Sequence, residues 1–275
     1  MGLPYVSVIV PAFNASKTIQ SCVNSLLKQG YPQGKYEVIV VDNGSTDNTW
    51  KMLQNYRGKI ILMRNSMKNS YRARNTGIMK ARGDILLFTD ADCVAWKDWT
   101  PLMVRCFQNP SIKIAGGGIR AAQKRGIVQK YCDQYCHTQE AYYRKGVFAT
   151  SNMAVRCPKG AKTALFDVSL PLGADFDFCS RMVRDPSEML YEPMAVVYHY
   201  YSTSVLEFLR KNFAYGKSNG MIFGRLRKRF FDPHAKVIGI LKRHGLFFAF
   251  LRILQVIAFG SGFIFGHLSS KPRIF

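Results

Sequence analysis

Acidic residues are scarce in this 275-residue chain: 17 Asp and Glu stand against 39 Lys and Arg, for a formal net charge of +22. The basic excess is uneven, because residues 201–275 hold 13 basic and two acidic residues. A segment of this kind indicates an anionic partner, and nucleic acid and acidic membrane lipid are the two usual ones. The 48% hydrophobic content excludes a disordered protein and is sufficient for a buried core.

The chain also lacks a disulfide framework, because its seven cysteines are an odd number at irregular spacings. We therefore expect a reducing compartment. Cys132, Cys136 and His137 come nearest to a zinc cluster, but no second Cys or His pair follows at zinc-site spacing. We assign these three residues no metal.

The amino terminus has no basic segment of the kind that opens a secretory signal, and Ser7 and Pro11 interrupt its apolar stretch. A myristoylation signal is lacking too, since Val6 stands where Ser or Thr is required. We expect residues 5–13 to form a strand rather than a leader, in a cytoplasmic protein.

Short apolar runs alternate with helical patterns along the first hundred residues. This βαβ order predicts an α/β fold with a Rossmann-like, mostly parallel sheet. A helix is predicted from about Tyr71 to Ala81, ahead of Gly83. The predicted strands cover residues 6–10, 38–41, 59–63 and 85–89.

Two carboxylates follow the last of these strands: Asp90 and Asp92, separated by Ala91. Open α/β sheets bind their ligands at the carboxyl ends of the strands. Mg²⁺ prefers one or two carboxylates together with phosphate oxygens, whereas an isolated pair of this kind can also cap a helix. The placement favours a metal-assisted enzyme that acts on a nucleotide.

Two further polar side chains are candidates for the same edge. Asp42 ends the second predicted strand before a Gly44-Ser45 turn, where it can accept hydrogen bonds from a base or ribose or stabilise the turn. Arg74 lies on the predicted helix, and its guanidinium can neutralise phosphate or pack against a base. Both interpretations of Asp42 stay open at this point.

Several motifs in a fixed order resemble those of the family 2 glycosyltransferases, which have the GT-A fold. The resemblance extends over roughly the first 200 residues. Each motif is weak alone, but the ordered set is specific. The motifs are Pro11-Ala12-Phe13-Asn14, residues 41–47, Ala73-Arg74-Asn75-Thr76-Gly77, Asp90-Ala91-Asp92, Asn152-Met153-Ala154-Val155-Arg156, Gly173-Ala174-Asp175-Phe176-Asp177 and His199.

The resemblance implies a role for each matching residue. Asp92 would bind Mg²⁺ or Mn²⁺, Asp90 would support the ribose or the cation, and His199 would lie near the metal or the diphosphate. Asp175 would be the catalytic base, although Ala174 replaces the Glu that usually precedes it. The implied nucleotide-binding residues are Pro11, Ala12, Asp42, Arg74, Asp90 and Ala91.

The reaction implied is an inverting, in-line displacement. Asp175 would remove a proton from an acceptor hydroxyl, which attacks the anomeric carbon while the nucleoside diphosphate departs. Uridine diphosphate sugars are the default donors of the family. Trp96 and Trp99 follow the acidic motif and either stack on a sugar or belong to the core.

Domain organisation is predicted from changes of composition. Gly116 to Gly118 indicate a sharp backbone change after strand-like residues 112–115. We expect a donor-binding half over 1–115, an acceptor-binding and catalytic half over 116–200, and a helical tail over 201–275.

The tail combines a basic, amphipathic helical pattern over residues 206–229 with an apolar run over 246–266. Such segments lie at membrane surfaces, and interfacial helices are favoured over a spanning one. Packing as a core helix pair is the alternative. If the tail contacts acidic lipid, the acceptor is a lipid-linked sugar or polyprenyl phosphate at the cytoplasmic face.

Three other classes of protein fit the sequence less well. A nucleic-acid-binding protein would explain the charge, but none of the usual binding fingerprints is present, and we expect no nucleic acid partner. A processive polysaccharide synthase would add a Gln-x-x-Arg-Trp motif and several membrane spans. A nucleotidyltransferase would carry a glycine-rich, basic phosphate loop after the first strand.

Overall fold

A computed structural model of the chain describes residues 2–66, 68–135, 139–157, 165–170, 172–226 and 246–269, with the backbone alone for 222–226 and 246. The predictions for Cys136, His137 and residues 227–229 lie outside the described residues. The described residues form two compact units. The sheet unit takes the described residues within 1–122, 137–168 and 174–200, and the helical unit those within 123–136, 169–173 and 201–275.

The sheet unit contains one sheet. Its strands are β1 (Val6–Ala12), β2 (Tyr36–Asp42), β3 (Ile61–Arg64), β4 (Ile85–Thr89), β5 (Cys93–Ala95), β6 (Ile114–Ala121), β7 (Asn152–Arg156) and β8 (Met189–His199). They lie in the order β3-β2-β1-β4-β7-β6-β8-β5. Strands β3, β2, β1 and β4 are mutually parallel, β7 is antiparallel to both β4 and β6, and β8 is parallel to β6.

Helices connect and cover these strands. Those of the sheet unit are α1 (Ile19–Leu27), α2 (Thr49–Gln54), α3 (Ser70–Lys80), α4 (Trp99–Arg105), α6 (Gln139–Tyr143) and α7 (Ala174–Met182). Those of the helical unit are α5 (Ile127–Tyr135), α8 (Val205–Leu226) and α9 (Leu246–Ser269).

The centre of the sheet was predictable from the sequence because β1 and β4 are apolar except for Ser7 and Thr89 and are buried at every residue. Parallel strands covered on both faces have this continuous hydrophobic pattern. The face of α1 that carries Ile19, Cys22, Val23 and Leu26 packs into the same core. The predicted mixed α/β, mostly parallel sheet is therefore confirmed.

The strand predicted to end at Ala115 was placed wrongly, because β6 continues through the three glycines to Ala121. A Cβ on Gly116 would collide with the Phe148 ring, and one on Gly117 with the Ala195 carbonyl and the Asn152 side chain. The glycines thus permit close packing inside a strand. Pairing with β8 changes register between Gly117 and Ile119, and the domain boundary proposed here stays a prediction.

The helical unit has its own apolar core. Tyr131 and Cys132 of α5 pack there with Phe208 of α8 and with Phe248 and Leu251 of α9. Cys132 is accordingly a buried core residue. Within the described residues, one helix, Phe247–Ser269, is long and apolar enough to cross a membrane, a property that core helices of soluble proteins share.

Candidate active site

Asp42 is the last residue of β2 and is fully buried. Ala12 lies opposite it in the parallel register, directly after Pro11. The Ser45 N–H donates to Asp42 Oδ2 at 3.3 Å, so the role in the turn is present. Among the described residues, the buried Asp42 Oδ1 has no hydrogen-bond partner. Because a buried carboxylate oxygen without a donor is unfavourable, this atom can accept a hydrogen bond from a ligand.

Arg64 is a residue of this site that the sequence interpretation missed. It lies opposite Asp42 in the β2–β3 register, and its Nε is 3.1 Å from Asp42 Oδ2. Its guanidinium also covers the Trp50 ring, 4.8 Å from the centroid. Since Arg64 ends β3 at the carboxyl edge of the sheet, the rule that indicated Asp42 also indicates Arg64.

Arg74 and Asp90 are brought together as an ion pair. Arg74 belongs to α3, and its side chain is 5% exposed, whereas Asp90 directly follows β4. The guanidinium also lies over the Tyr71 ring, 5.6 Å from its centroid. The buried Arg74 guanidinium therefore lies at the end of β4, where Ala91 is buried too.

Asp92 and His199 form a second pair at the tip of β4. The Nε2 atom of His199 is 3.6 Å from Asp92 Oδ1, and the Tyr200 N–H donates to the Asp92 carbonyl at 2.9 Å. Potential ligand atoms of Asp92, His199 and Cys93 lie within 4.8 Å of one another. Burial raises the pKa of the Cys93 thiol, and the carboxylates of Asp92 and Asp90 raise it further. Cys93 is 1% exposed, and Mg²⁺ and Mn²⁺ prefer carboxylate oxygen to thiolate sulfur, so Asp92 and His199 are the better metal donors here.

Asp175 lies in the first turn of α7 and is 9% exposed. Its carboxylate accepts from the Thr150 N–H at 3.4 Å and from the Phe176 N–H at 3.2 Å. Burial raises the pKa of Asp175, and the Arg74 guanidinium is the largest influence that lowers it. A buried carboxylate with a raised pKa is suited to accept a proton.

Asn75, from the same motif as Arg74, attaches the segment before α7 to α3. Its side chain exchanges two hydrogen bonds with the Phe166 backbone, each 2.9 Å long. The Phe166 ring stacks on Phe178 of α7 at 4.5 Å and meets Phe88 of β4 edge-on at 5.5 Å. This packing connects the end of β4 to the helix that carries Asp175.

The structure shows which of the remaining candidates are buried and which are exposed. Trp99 is fully buried and donates from Nε1 to Asn152 Oδ1 at 2.7 Å, so it belongs to the core. Trp96 is 46% exposed and contacts the Tyr198 ring, which keeps it available to a ligand. Asp177 pairs with Arg181 within α7, so its contact is a structural one inside the helix.

Comparison with known sequences identifies a family of enzymes. The chain matches the family model described as glycosyl transferase family 2 over residues 7–164. Glycosyltransferase AglE of Haloferax volcanii is 33% identical over 223 residues, which are 78% of this chain and 73% of AglE. A Methanococcus voltae protein, dolichyl N-acetyl-alpha-D-glucosaminyl phosphate 3-beta-D-2,3-diacetamido-2,3-dideoxy-beta-D-glucuronosyltransferase, is 26% identical over 248 residues, covering 83% and 76% of the two chains.

Among solved structures, mannosyltransferase PcManGT from Pyrobaculum calidifontis, in complex with GDP-Man and Mn²⁺, superposes with a TM-score of 0.63. The match covers 94% of this chain and 75% of PcManGT at 19% identity, so this likeness concerns the fold, which is GT-A. Because the family match covers more than half of the sequence, and because AglE matches over most of its length, this chain belongs to the family 2 glycosyltransferases and is an enzyme.

Proposed function

We propose that this enzyme is an inverting, metal-dependent transferase that moves a sugar from a nucleoside diphosphate sugar to a lipid-linked or other glycan acceptor. The observation that carries the proposal is the pairing of Asp92 with His199 at the end of β4, next to the Arg74–Asp90 ion pair. A cation-binding pair and a buried arginine at one sheet edge suit a diphosphate.

The nucleotide would bind along the carboxyl ends of β1, β2 and β4. Asp42 offers the unpartnered Oδ1 as an acceptor for a base or ribose donor, while Pro11 and Ala12 line the same strand ends. Arg74 supplies positive charge for the phosphates, and Asp90 and Ala91 would lie beside the ribose. Uridine diphosphate sugars are the first donors to test, and GDP-mannose, the ligand of PcManGT, is the second.

Mg²⁺ or Mn²⁺ fits the residues present, because a carboxylate oxygen and an imidazole nitrogen lie 3.6 Å apart at Asp92 and His199. These two residues would hold the cation, with support from Asp90. When bound, the cation would neutralise the charge that develops on the departing diphosphate.

Asp175 would act as the base. Two backbone N–H groups orient its carboxylate, and its burial keeps water away from the group that must receive the proton. Proton removal makes the acceptor oxygen a stronger nucleophile for attack on the anomeric carbon from the side opposite the leaving group. A single displacement of this kind inverts the anomeric configuration.

The acceptor class is inferred from relatives and from the tail. The name of the Methanococcus voltae relative describes transfer to a dolichyl-linked sugar phosphate. The basic and apolar composition of residues 201–275 supports a similar lipid-linked acceptor here. The enzyme would then work at the cytoplasmic face of a membrane, as a peripheral or anchored protein.

The test is a panel of sugar nucleotides with Mn²⁺ or Mg²⁺, measured by thermal stabilisation and by donor hydrolysis. We expect Asp92→Ala to lose the metal-dependent stabilisation by the preferred donor. Asp175→Asn should keep that stabilisation and lose at least about 10²-fold in turnover, the typical contribution of a general base.

Asp98→Ala is the matched control, because Asp98 is an exposed carboxylate that makes no side-chain cap at the start of α4. It should behave as the unchanged chain does. Normal turnover by Asp175→Asn would show that another group is the base. If Asp92→Ala still bound the donor in a metal-dependent way, Asp92 would not be a ligand of the cation and the proposed cation site would be wrong.

A further inference from the structure

One face of α9 exposes a row of large apolar side chains, which we call the apolar stripe. Its members are between 43% and 62% exposed, and Ser261 is the exposed polar residue among them. Few soluble surfaces carry so continuous an apolar row. The apolar stripe consists of Phe250, Ile253, Ile257, Ile264, Phe265 and Leu268.

The opposite face of α9 is packed against α8 through glycines. A Cβ on Gly216 would collide with the Phe259 carbonyl, and one on Gly262 with the Phe213 carbonyl. Gly220 and Gly266 have equivalent close contacts with the partner helix. A pair of glycines four residues apart on α8 therefore faces a pair of glycines four residues apart on α9. This arrangement lets the two helix backbones approach closely.

Polar side chains complete this packed face. Gln255 of α9 accepts from Tyr131 Oη at 2.7 Å and from Arg252 at 2.9 Å, and it donates to Asn212 of α8 at 2.9 Å. All four side chains are buried. The hydrogen bonds fix the rotation of α9 and therefore the direction in which the apolar stripe faces.

The packing of α9 against α8 makes it unfavourable for α9 to cross a bilayer. Because α8 is bound to α9 through Gly216 and Gly220, it would have to enter the hydrocarbon as well. It would take Lys217 and Asn219 with it, and a charged side chain in the centre of a bilayer is costly. A helix that lies in the membrane plane avoids this cost, because it inserts one face only.

A cationic group borders the apolar stripe. The Lys217 ammonium lies 5.0 Å from the centroid of the Phe265 ring. The segment 201–275, to which both helices belong, holds 13 basic residues against two acidic ones. Positive charge next to an apolar face complements anionic headgroups above acyl chains.

We propose that α9 lies in the plane of an anionic membrane surface, with the apolar stripe inserted and the glycine face held by α8. The proposal deepens the membrane location given above and rests on it. The occupant of the stripe is the acyl-chain region beneath acidic phospholipid headgroups, and Lys217 contacts a headgroup phosphate.

Flotation of the full chain with vesicles of phosphatidylcholine and phosphatidylglycerol tests the surface. We expect Phe250→Ser combined with Ile257→Ser to reduce vesicle binding about tenfold or more. The control combines Met79→Ser with Met194→Ser, two equally exposed apolar residues of the sheet unit, and it should bind as the unchanged chain does.

Depth measurements separate an in-plane helix from a crossing one. Single cysteines replacing Phe250, Ile257 and Ile264 would carry an environment-sensitive dye, read against the labelling background of the unchanged chain. The helix advances roughly 21 Å from the first site to the last, at 1.5 Å per residue. We expect similar depths at the three sites, whereas a crossing helix would separate them by most of that length.

Three results would overturn the proposal: undiminished binding by the stripe variant, staggered depths, or vesicle-free dimers that the stripe variant converts to monomers. The last would assign the stripe to a second copy of the chain. Donor-induced stabilisation should be unchanged in the stripe variant. Its absence in the unchanged chain would count against the proposed function without deciding the membrane result.

Discussion

Burial of Asp175 serves its proposed chemistry and opposes stability. The carboxylate is 9% exposed and receives two backbone N–H groups, and among charged groups the Arg74 guanidinium acts on it most strongly. Since burial outweighs these influences, the pKa of Asp175 is higher in the folded chain than in the unfolded one. The folded state then binds this proton more readily, and ionisation of Asp175 lowers the free energy of unfolding.

The first prediction concerns stability against pH. In the absence of metal and donor, Asp175→Asn should raise the melting temperature at neutral pH, because it removes a buried charge. The gain should shrink as the pH falls through the raised pKa and vanish below the ordinary range of Asp. Calorimetry across this pH range measures the gain in melting temperature. A gain that does not depend on pH would have to come from altered packing instead.

The same pKa predicts the acid limb of the rate profile. Transfer should decline as the pH falls through the raised pKa of Asp175, because the protonated carboxyl cannot accept a proton. Arg74→Gln removes the positive charge that lowers this pKa, so the limb should move to higher pH. The transfer rate measured against pH under saturating donor gives this shift. If the acid limb does not move in Arg74→Gln, Arg74 does not influence the pKa of the base.

At the scale of elements, glycines decide where segments approach each other. Gly260 and Gly262 cannot be distinguished from the sequence. In the structure, a methyl group at Gly260 would meet nothing within 4 Å, whereas one at Gly262 would collide with the backbone of α8. The contrast identifies the face of α9 that is packed.

A pair of alanine substitutions tests this assignment. Gly262→Ala should destabilise the chain by about 1–3 kcal/mol through overpacking. Gly260→Ala should be neutral or stabilising by up to about 1 kcal/mol, because Ala is the better helix former. Thermal unfolding with limited proteolysis compares the two, and equal effects would mean that the α8–α9 contact is not held by glycine packing.

At the scale of the whole molecule, the net charge of +22 predicts how vesicle binding responds to salt. The Debye length falls from about 10 Å at 0.1 M salt to about 3 Å at 1 M, so attraction to acidic headgroups weakens while apolar insertion persists. Binding to phosphatidylglycerol vesicles should fall steeply over this range. Binding to pure phosphatidylcholine should change little, and a flat response in both would exclude an electrostatic contribution.

The sequence alone determined the sheet and the order of its motifs. Buried parallel strands are mostly apolar, so β1, β2 and β4 could be predicted, as could the acids at their carboxyl ends: Asp42 as the last residue of β2, and Asp90 and Asp92 just after β4. Their proximity follows from topology, because parallel strands end at one edge. The family assignment and the fold predicted from these motifs are confirmed, while the roles of the individual residues stay proposals.

Tertiary structure decided the contacts that depend on chain packing. Only the structure showed that Arg64 pairs with Asp42 and that Asn75 holds Phe166. The resemblance implied that Asp92 and His199 lie near one metal, and the structure gives the distance of 3.6 Å between them. The glycines of β6 resembled a boundary because sequence shows only their conformational freedom, whereas the atoms that require them come from distant segments. The direction in which α9 exposes its apolar stripe has the same origin, since the packed face is selected by α8 and α5 rather than by α9 itself.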